Sequence, residues 1–169
     1  MQGRDRNMIL KTRNFGEITI EEDKILTFNE GIPGFDDLTK YIIIHSPDES
    51  MPFQWLQSIE EGELAFVIIN PFTFKTDYDF KIPEHIVKKL DIKSSKDINV
   101  FNIVNIPEDI NKMTANLQAP IIINRKNNRA KQVILDNPEY RSKHYIIDEI
   151  KTAFQPKDNK KETVTEEAR

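Results

Sequence analysis

The stretch MTANLQAPIIIN, Met113 to Asn124, decides how the rest of the chain is read. Its three successive isoleucines lack polar alternation, yet Pro120 and Ala119 precede them, with Asn116 and Gln118 just upstream. Proline has no N–H to give to a ladder, so it belongs at a strand start or on a sheet edge. After the isoleucines come RKNNR (125–129) and AKQVILD (130–136). Asn127 and Asn128 tolerate the left-handed backbone of a tight turn, and β-rich runs lie on both sides. The stretch therefore predicts a late β-hairpin whose first strand opens near a sheet edge, with part of that edge free for a partner.

Working outward, similar runs recur. NFGEITI (14–20) and KILTF (24–28) flank Glu21-Glu22-Asp23 and read as another hairpin. YIIIH (41–45), FQWLQS (53–58), LAFVIIN (64–70) and INVFNIV (98–104) add strands at the spacing of an antiparallel sheet or barrel. Trp55 alternates within FQWLQS and reads as core. IPEHIVKKLDI (82–92) departs from the pattern, because Ile82, Ile86 and Leu90 recur at every fourth position. Pro83 suits a first helical turn, Glu84 complements the helix dipole, and Lys88 and Lys89 favour the C-terminal end. The expected fold is mainly β: a single-domain, antiparallel, barrel-like sheet over 13–150 with one short α-helix at about 83–90. Residues 1–12 read as an N-terminal extension and 151–169 as a flexible charged tail, disordered from about Gln155.

The chain has 169 residues, enough for one domain that buries roughly 70% of its unfolded surface. No apolar run reaches the roughly 18 residues of a membrane span. The charged N-terminus lacks the apolar core of a secretory signal. The absence of cysteine fits a reducing cytoplasm. Net charge is −4, but residues 15–110 hold 19 acidic and 8 basic groups, whereas 111–145 hold 7 basic and 2 acidic. The acidic segment should repel nucleic acid and attract a basic protein surface.

Catalytic signatures are missing. His45, His85 and His144 stand apart, with no metal-type pairing, and read as surface histidines. Ser46 and Ser58 have no nucleophile-elbow context. GIPG (31–34) lacks the lysine and hydroxyl of a phosphate-binding loop and reads as a turn. No cofactor or metal is expected, and the chain reads as a non-enzyme. The alternative is a direct nucleic-acid-binding module using the basic hairpin 125–131, where Arg125, Lys126, Arg129 and Lys131 cluster. That hairpin lacks interleaved aromatics, and the acidic segment opposes phosphate, so direct nucleic-acid binding is not the expectation.

Taken in order, FGEITI, ILTFNEGIPGFDD (25–37), LQSIEEGELAFVIINPFTFKTDYDF (56–80), LDI, TANLQAPIIIN (114–124) and KQVIL (131–135) resemble the FliW family of bacterial flagellar assembly factors. The likeness runs from about Phe15 to Tyr145. It implies a compact, mainly β, barrel-like domain without catalytic activity, acting in the cytoplasm. It also implies two partners: flagellin, and CsrA, the small RNA-binding regulator that represses flagellin translation and that a family member sequesters once flagellin is exported. Acidic residues have the right sign to meet a protein that holds RNA, and Glu30, Asp36, Asp37, Glu60, Glu61 and Glu63 are the candidates. Flagellin's terminal segments are amphipathic, so an apolar crevice is needed, and Phe72, Phe74 and Tyr78 are its candidates. Asn116, Gln118 and Pro120 beside the expected sheet edge are candidates for contact with a partner backbone. No self-complementary apolar face stands out, which predicts a monomer, and no membrane partner is expected.

Overall fold

The computed structural model describes residues 7–48 and 50–153. The expected disorder from about Gln155 lies outside the described residues. Eleven strands and two short helices follow one another as β1 (Asn7–Thr12), β2 (Gly16–Glu21), β3 (Leu26–Thr27), β4 (Lys40–His45), β5 (Phe53–Ser58), β6 (Ala65–Ile69), α1 (Glu84–Lys89), β7 (Ile98–Asn105), β8 (Thr114–Ala115), β9 (Ile121–Asn124), β10 (Arg129–Gln132), β11 (His144–Tyr145) and α2 (Ile147–Ala153).

The three isoleucines of β9 are buried because the strand has neither a solvent face nor a free edge. On one side β9 pairs antiparallel with β10, from Arg129 opposite Asn124 to Gln132 opposite Ile121. On the other it pairs with the first half of β7, from Ile98 opposite Asn124 to Phe101 opposite Ile121. This second ladder closes the sheet into a barrel in the order β7, β6, β5, β4, β3, β10, β9 and back to β7. The expected free edge at Pro120 is thus corrected: Pro120 does open the strand, but β7 occupies the edge. A ring of seven strands cannot alternate direction all the way round. The unavoidable parallel step falls between β3 and β10, at Thr27 and Arg129.

Alternation along β9 sends its side chains into two different cores. Ile121 and Ile123 point inward, where Leu26, Phe28, Tyr41, Leu56, Ile68, Phe101 and Ala130 fill the barrel from its other six strands and the loop after β3. Ile122 points outward and packs with Ile69 and Val104 beneath a second layer containing Tyr78, Ile86, Leu90, Leu117 and Ile146. A strand covered on both faces reads as an unbroken apolar run.

The outer layer includes both helices. As the spacing predicts, α1 buries Ile86 and Leu90. It ends at Asp91, whose φ of 55° takes the left-handed position that often falls to glycine. The expectation of a single helix is corrected by α2, where Ile146 and Ile150 lie one turn apart and are both buried. Asp148 and Glu149 stand in the first turn of α2, where the helix dipole favours them. Beyond the barrel, β8 continues along β7 through Val104 and Ala115, and β11 adds to β8 through His144.

The first expected hairpin is also corrected. β2 pairs not with KILTF but with β1, inside the segment read as an N-terminal extension, in a register that places Met8 and Leu10 opposite Ile20 and Ile18. Glu22–Lys24 form a single 3-10 turn that delivers the chain to β3. The β1–β2 ribbon lies against the barrel wall. Arg13 N donates to Gly62 O at 3.0 Å, and Phe15 meets the half-buried Trp55 edge to face at 5.4 Å. A Cβ on Gly62 would stand 2.1 Å from the Lys11 carbonyl oxygen. Only glycine allows that approach.

Two consequences can be measured. Ile122→Ala and Ile123→Ala should each cost about 2–4 kcal/mol in urea unfolding, because each side chain leaves a cavity in its own core. A near-neutral result for either would mean that β9 has a solvent face. Gly62→Ala should cost about 1–3 kcal/mol, with amide exchange accelerating first across β1 and β2.

Candidate functional site

Six carboxylates singled out in the sequence separate into two environments. Asp36 and Asp37 are exposed in the turn after Gly31, which Gly31 and Gly34 shape with φ of 69° and 91°. A Cβ on Gly31 would stand 2.6 Å from the carbonyls of Phe35 and Asp36, so the turn closes tightly on itself. Glu60 ties this turn to the β5–β6 loop by accepting from the Thr39 and Lys40 amides at 2.7 and 3.2 Å. Glu61 and Glu63 are exposed on the same loop. Asp36, Asp37, Glu60, Glu61 and Glu63 thus form one acidic edge. Glu60 is already engaged with backbone, which leaves the other four facing solvent. Phe35, 39% exposed, stands within this edge and rests on Phe66 with ring centroids 5.4 Å apart. Sequence reading missed it, although an aromatic set between Gly34 and two aspartates in a tight turn is itself a signal.

Glu30, just before the same turn, has different partners. Its carboxylate bridges the ammonium groups of Lys89 and Lys131 and lines a small cavity of about 70 Å³ with Asn29, Gly31 and Leu90. Hydrogen bonds from Lys131, then Lys89, pull its pKa from 4.5 down to about 2. The expectation that Glu30 joins the other acids is corrected: two cations neutralise it.

The aromatic candidates also divide. Asn70 Oδ1 accepts from Phe72 N at 2.9 Å and caps the 3-10 turn Pro71–Thr73. That turn leaves Phe72 42% exposed. Phe74 is partly buried and stacks on His144 at 6.4 Å, with an interplanar angle of 26°. His144 Nε2 lies 2.8 Å from Glu149 Oε1, so His144 is not a free surface histidine but a link between β11 and α2. Thr73, Phe74 and Thr76 form one wall of an open cavity of about 410 Å³, and Asp148, Glu149 and Thr152 of α2 form the other. Phe74 gives one wall its apolar surface, and Asp148 and Glu149 make the other acidic. The α2 wall was not foreseen, since no sequence periodicity links residues 72–76 to 148–152.

Tyr78 is buried, which removes it from the crevice. Its hydroxyl donates to Leu117 O at 2.6 Å and accepts from Asn102 Nδ2 at 3.3 Å. Burial, opposed by the Asn102 bond and assisted by Tyr140, lifts its pKa to about 12. The polar residues before β9 are similarly committed. Asn116 Oδ1 accepts from Ala119 N at 3.1 Å, and Asn116 O from Asn102 Nδ2 at 2.7 Å. Gln118 and Pro120 accept through their carbonyls from Leu135 N and Val133 N at 2.7 and 2.9 Å. Pro120 is buried and Gln118 partly so. This segment fastens the β9–β10 hairpin to the outer layer, so the expectation that Asn116, Gln118 and Pro120 offer an open edge does not fit their positions. Among the described residues no group of three His, Asp or Glu is placed to hold a metal ion.

A closed seven-stranded barrel with one covered wall, an acidic edge and an open aromatic groove defines a class of small β scaffolds whose distinctive features lie on the surface. The family model described as "FliW protein" matches residues 9–146. The flagellar assembly factor FliW of Alkaliphilus metalliredigens (strain QYMF) is 55% identical over 143 residues, covering 85% of this chain and 88% of the relative. The flagellar assembly factor FliW of Thermoanaerobacter pseudethanolicus (strain ATCC 33223 / 39E) is 50% identical over 147 residues, covering 87% and 98%. A crystal structure of the flagellar assembly factor FliW superposes with a TM-score of 0.76 at 34% identity, covering 82% of this chain and 96% of that one. The chain belongs to the FliW family of flagellar assembly factors.

The Glu30 bridge predicts a pH signature. Because folding depresses the Glu30 pKa, its contribution is present above about pH 4.5 and lost as pH falls toward about 2. Glu30→Gln should therefore unfold at a lower denaturant midpoint than the parent near neutrality. The gap should close as the pH is lowered through that window. A gap that persists at pH 2 would assign the loss to packing instead.

Proposed function

We propose that this chain works without turnover as a cytoplasmic partner-exchange factor, holding flagellin through the groove at Phe74 with Phe72 beside it, and CsrA through the acidic edge at Phe35. The observation that carries the reading is the assembly of that edge. Two loops, joined by Glu60, carry four exposed carboxylates and an exposed aromatic ring, Phe35, next to Asp36 in the chain. An apolar anchor within a charged rim is the usual anatomy of a protein-binding patch. The carboxylates would speed encounter with a basic partner and lose that effect with salt, since screening acts over about 8–10 Å near physiological ionic strength.

The groove has complementary chemistry for an amphipathic helix. Phe74 offers apolar surface within it, exposed Phe72 stands just before it on the adjoining turn, and Asp148 and Glu149 on the opposite wall favour a segment with lysine or arginine beside its apolar face. The two surfaces use different elements, so each partner has its own set of contacts. In this reading the chain acts as a monomer, exchange requires that occupancy of one surface weakens binding at the other, and Tyr78, Asn116, Gln118 and Pro120 contribute by holding the scaffold.

Titration calorimetry with purified partners tests both halves. Charge reversal of Asp36, Asp37, Glu61 and Glu63 to lysine should weaken CsrA binding by about tenfold or more, with little change for flagellin. Phe72→Asp should do the converse. If neither partner forms a complex with the parent chain at about micromolar concentration, a range in which specific interfaces of ordinary size bind, the reading is wrong.

A further inference from the structure

The acidic middle of the chain hides a basic face that only folding assembles. Asn124 Nδ2 donates to the Leu90 and Asp91 carbonyls at 2.8 and 3.1 Å, and Asn127 Nδ2 donates to Leu90 O at 3.1 Å. These bonds dock the β9–β10 turn onto the C-terminal end of α1. Arg125 N donates to Asp97 O at 2.8 Å, and the Arg125 guanidinium reaches the Lys96 carbonyl. Arg129 Nη1 lies 3.4 Å from Lys89 O. Lys131 shares Glu30 with Lys89. Arg129 and Lys131 project from the same side of β10, because Ala130 between them fills the barrel. Lys89, Lys96, Arg125, Lys126, Arg129 and Lys131 therefore gather on one ridge from two separate segments, where they outnumber the carboxylates Glu30, Asp91 and Asp97 that stand among them.

We infer that this ridge binds the phosphate backbone of base-paired nucleic acid, without reading its sequence. The ridge keeps its charge available: among the described residues Lys96, Lys126, Arg125 and Arg129 form no ion pair with a carboxylate. Its chemistry also selects the partner. Neither 84–97 nor 121–135 contains Phe, Tyr or Trp, so there is no platform on which unpaired bases could stack. Within 84–97 and 121–135 Ile134, 62% exposed, is the one large apolar side chain left in solvent, so an acidic protein would find charge but no cluster of apolar groups to form an interface centre. A duplex backbone requires neither. It presents regularly spaced phosphates to lysine and arginine, and binding draws its free energy largely from released counterions. The ridge borders the turn that carries Asp36, since Gly31 beside Glu30 packs on Asp36, but it uses no candidate contact of the acidic edge or the groove, so its charge reversals leave those contacts in place.

The test is fluorescence anisotropy of the full chain with four labelled probes: an RNA stem-loop, a DNA duplex, an unpaired RNA of the same composition, and poly-glutamate. The stem-loop, the duplex or both should bind. If about four phosphates are neutralised, affinity should fall on the order of a hundredfold between about 50 and 200 mM salt. Lys96→Glu with Lys126→Glu should reduce affinity at least about tenfold while the thermal midpoint moves little, since both side chains are exposed. The salt dependence of the parent chain reads the same proposal with no substitution at all. Absence of binding to both paired probes at about 50 mM salt, where backbone contacts are weakly screened, overturns it. So does affinity indifferent to salt or to the double reversal, or binding of unpaired RNA or poly-glutamate as tight as that of the paired probes.

Discussion

The ladder between β7 and β9 is the constraint on which the rest of the molecule depends. It joins residues 98–101 to 121–124 and turns an open sheet into a ring. With the ring closed, Ile121 and Ile123 can be enclosed by side chains from every barrel strand, and Ile122 is left to face outward. That outward row is what the 70–92 segment, α1 and α2 cover. Without closure the inner core would lose its seventh wall, and β9 would present an apolar, unpaired edge open to aggregation.

The same ladder organises the surface. By fixing β9 against β7 it fixes the β9–β10 turn against α1, where the asparagine side chains saturate the carbonyls at the helix end. Cations of the hairpin and of the helix are thereby brought together, and Glu30 is drawn to them rather than to the other acids. The turn with Phe35, Asp36 and Asp37 is tied to the loop with Glu61 and Glu63, because Glu60 accepts from the Thr39 and Lys40 amides. A chain of modest net charge becomes a molecule with distinct acidic and basic regions. Neither region can be seen from the total charge.

Much of this was legible residue by residue. Short apolar runs between polar breaks mark β4, β5, β6 and β7, Pro120 marks the start of β9, and the four-residue spacing of Ile82, Ile86 and Leu90 marks α1. Two misreadings share a cause. The β1 segment NMILKT is half apolar, but it lies in a charged N-terminus that reads as an extension, which leaves β2 without its true partner. The unpaired edge inferred from Pro120 was really a strand start, because proline marks either position and only the neighbouring strand distinguishes them. Similarly, Phe72 and Tyr78 looked alike as exposed aromatics. One is left outside by the 3-10 turn at Pro71, and the other is drawn inward to the Leu117 carbonyl.

The sequence by itself determined the local matters: which segments are extended, where turns break them, where one helix begins, and which family the ordered motifs resemble. Those properties follow from backbone preference and short-range periodicity, which neighbouring residues encode. Tertiary structure alone decided which strand pairs with which, that a seven-membered ring needs one parallel step, and which charges become neighbours. Those outcomes depend on residues such as Glu30 and Lys131, or Phe74 and Asp148, that lie far apart along the chain. No local pattern records their meeting, because it arises only when the apolar faces of β9 are both buried.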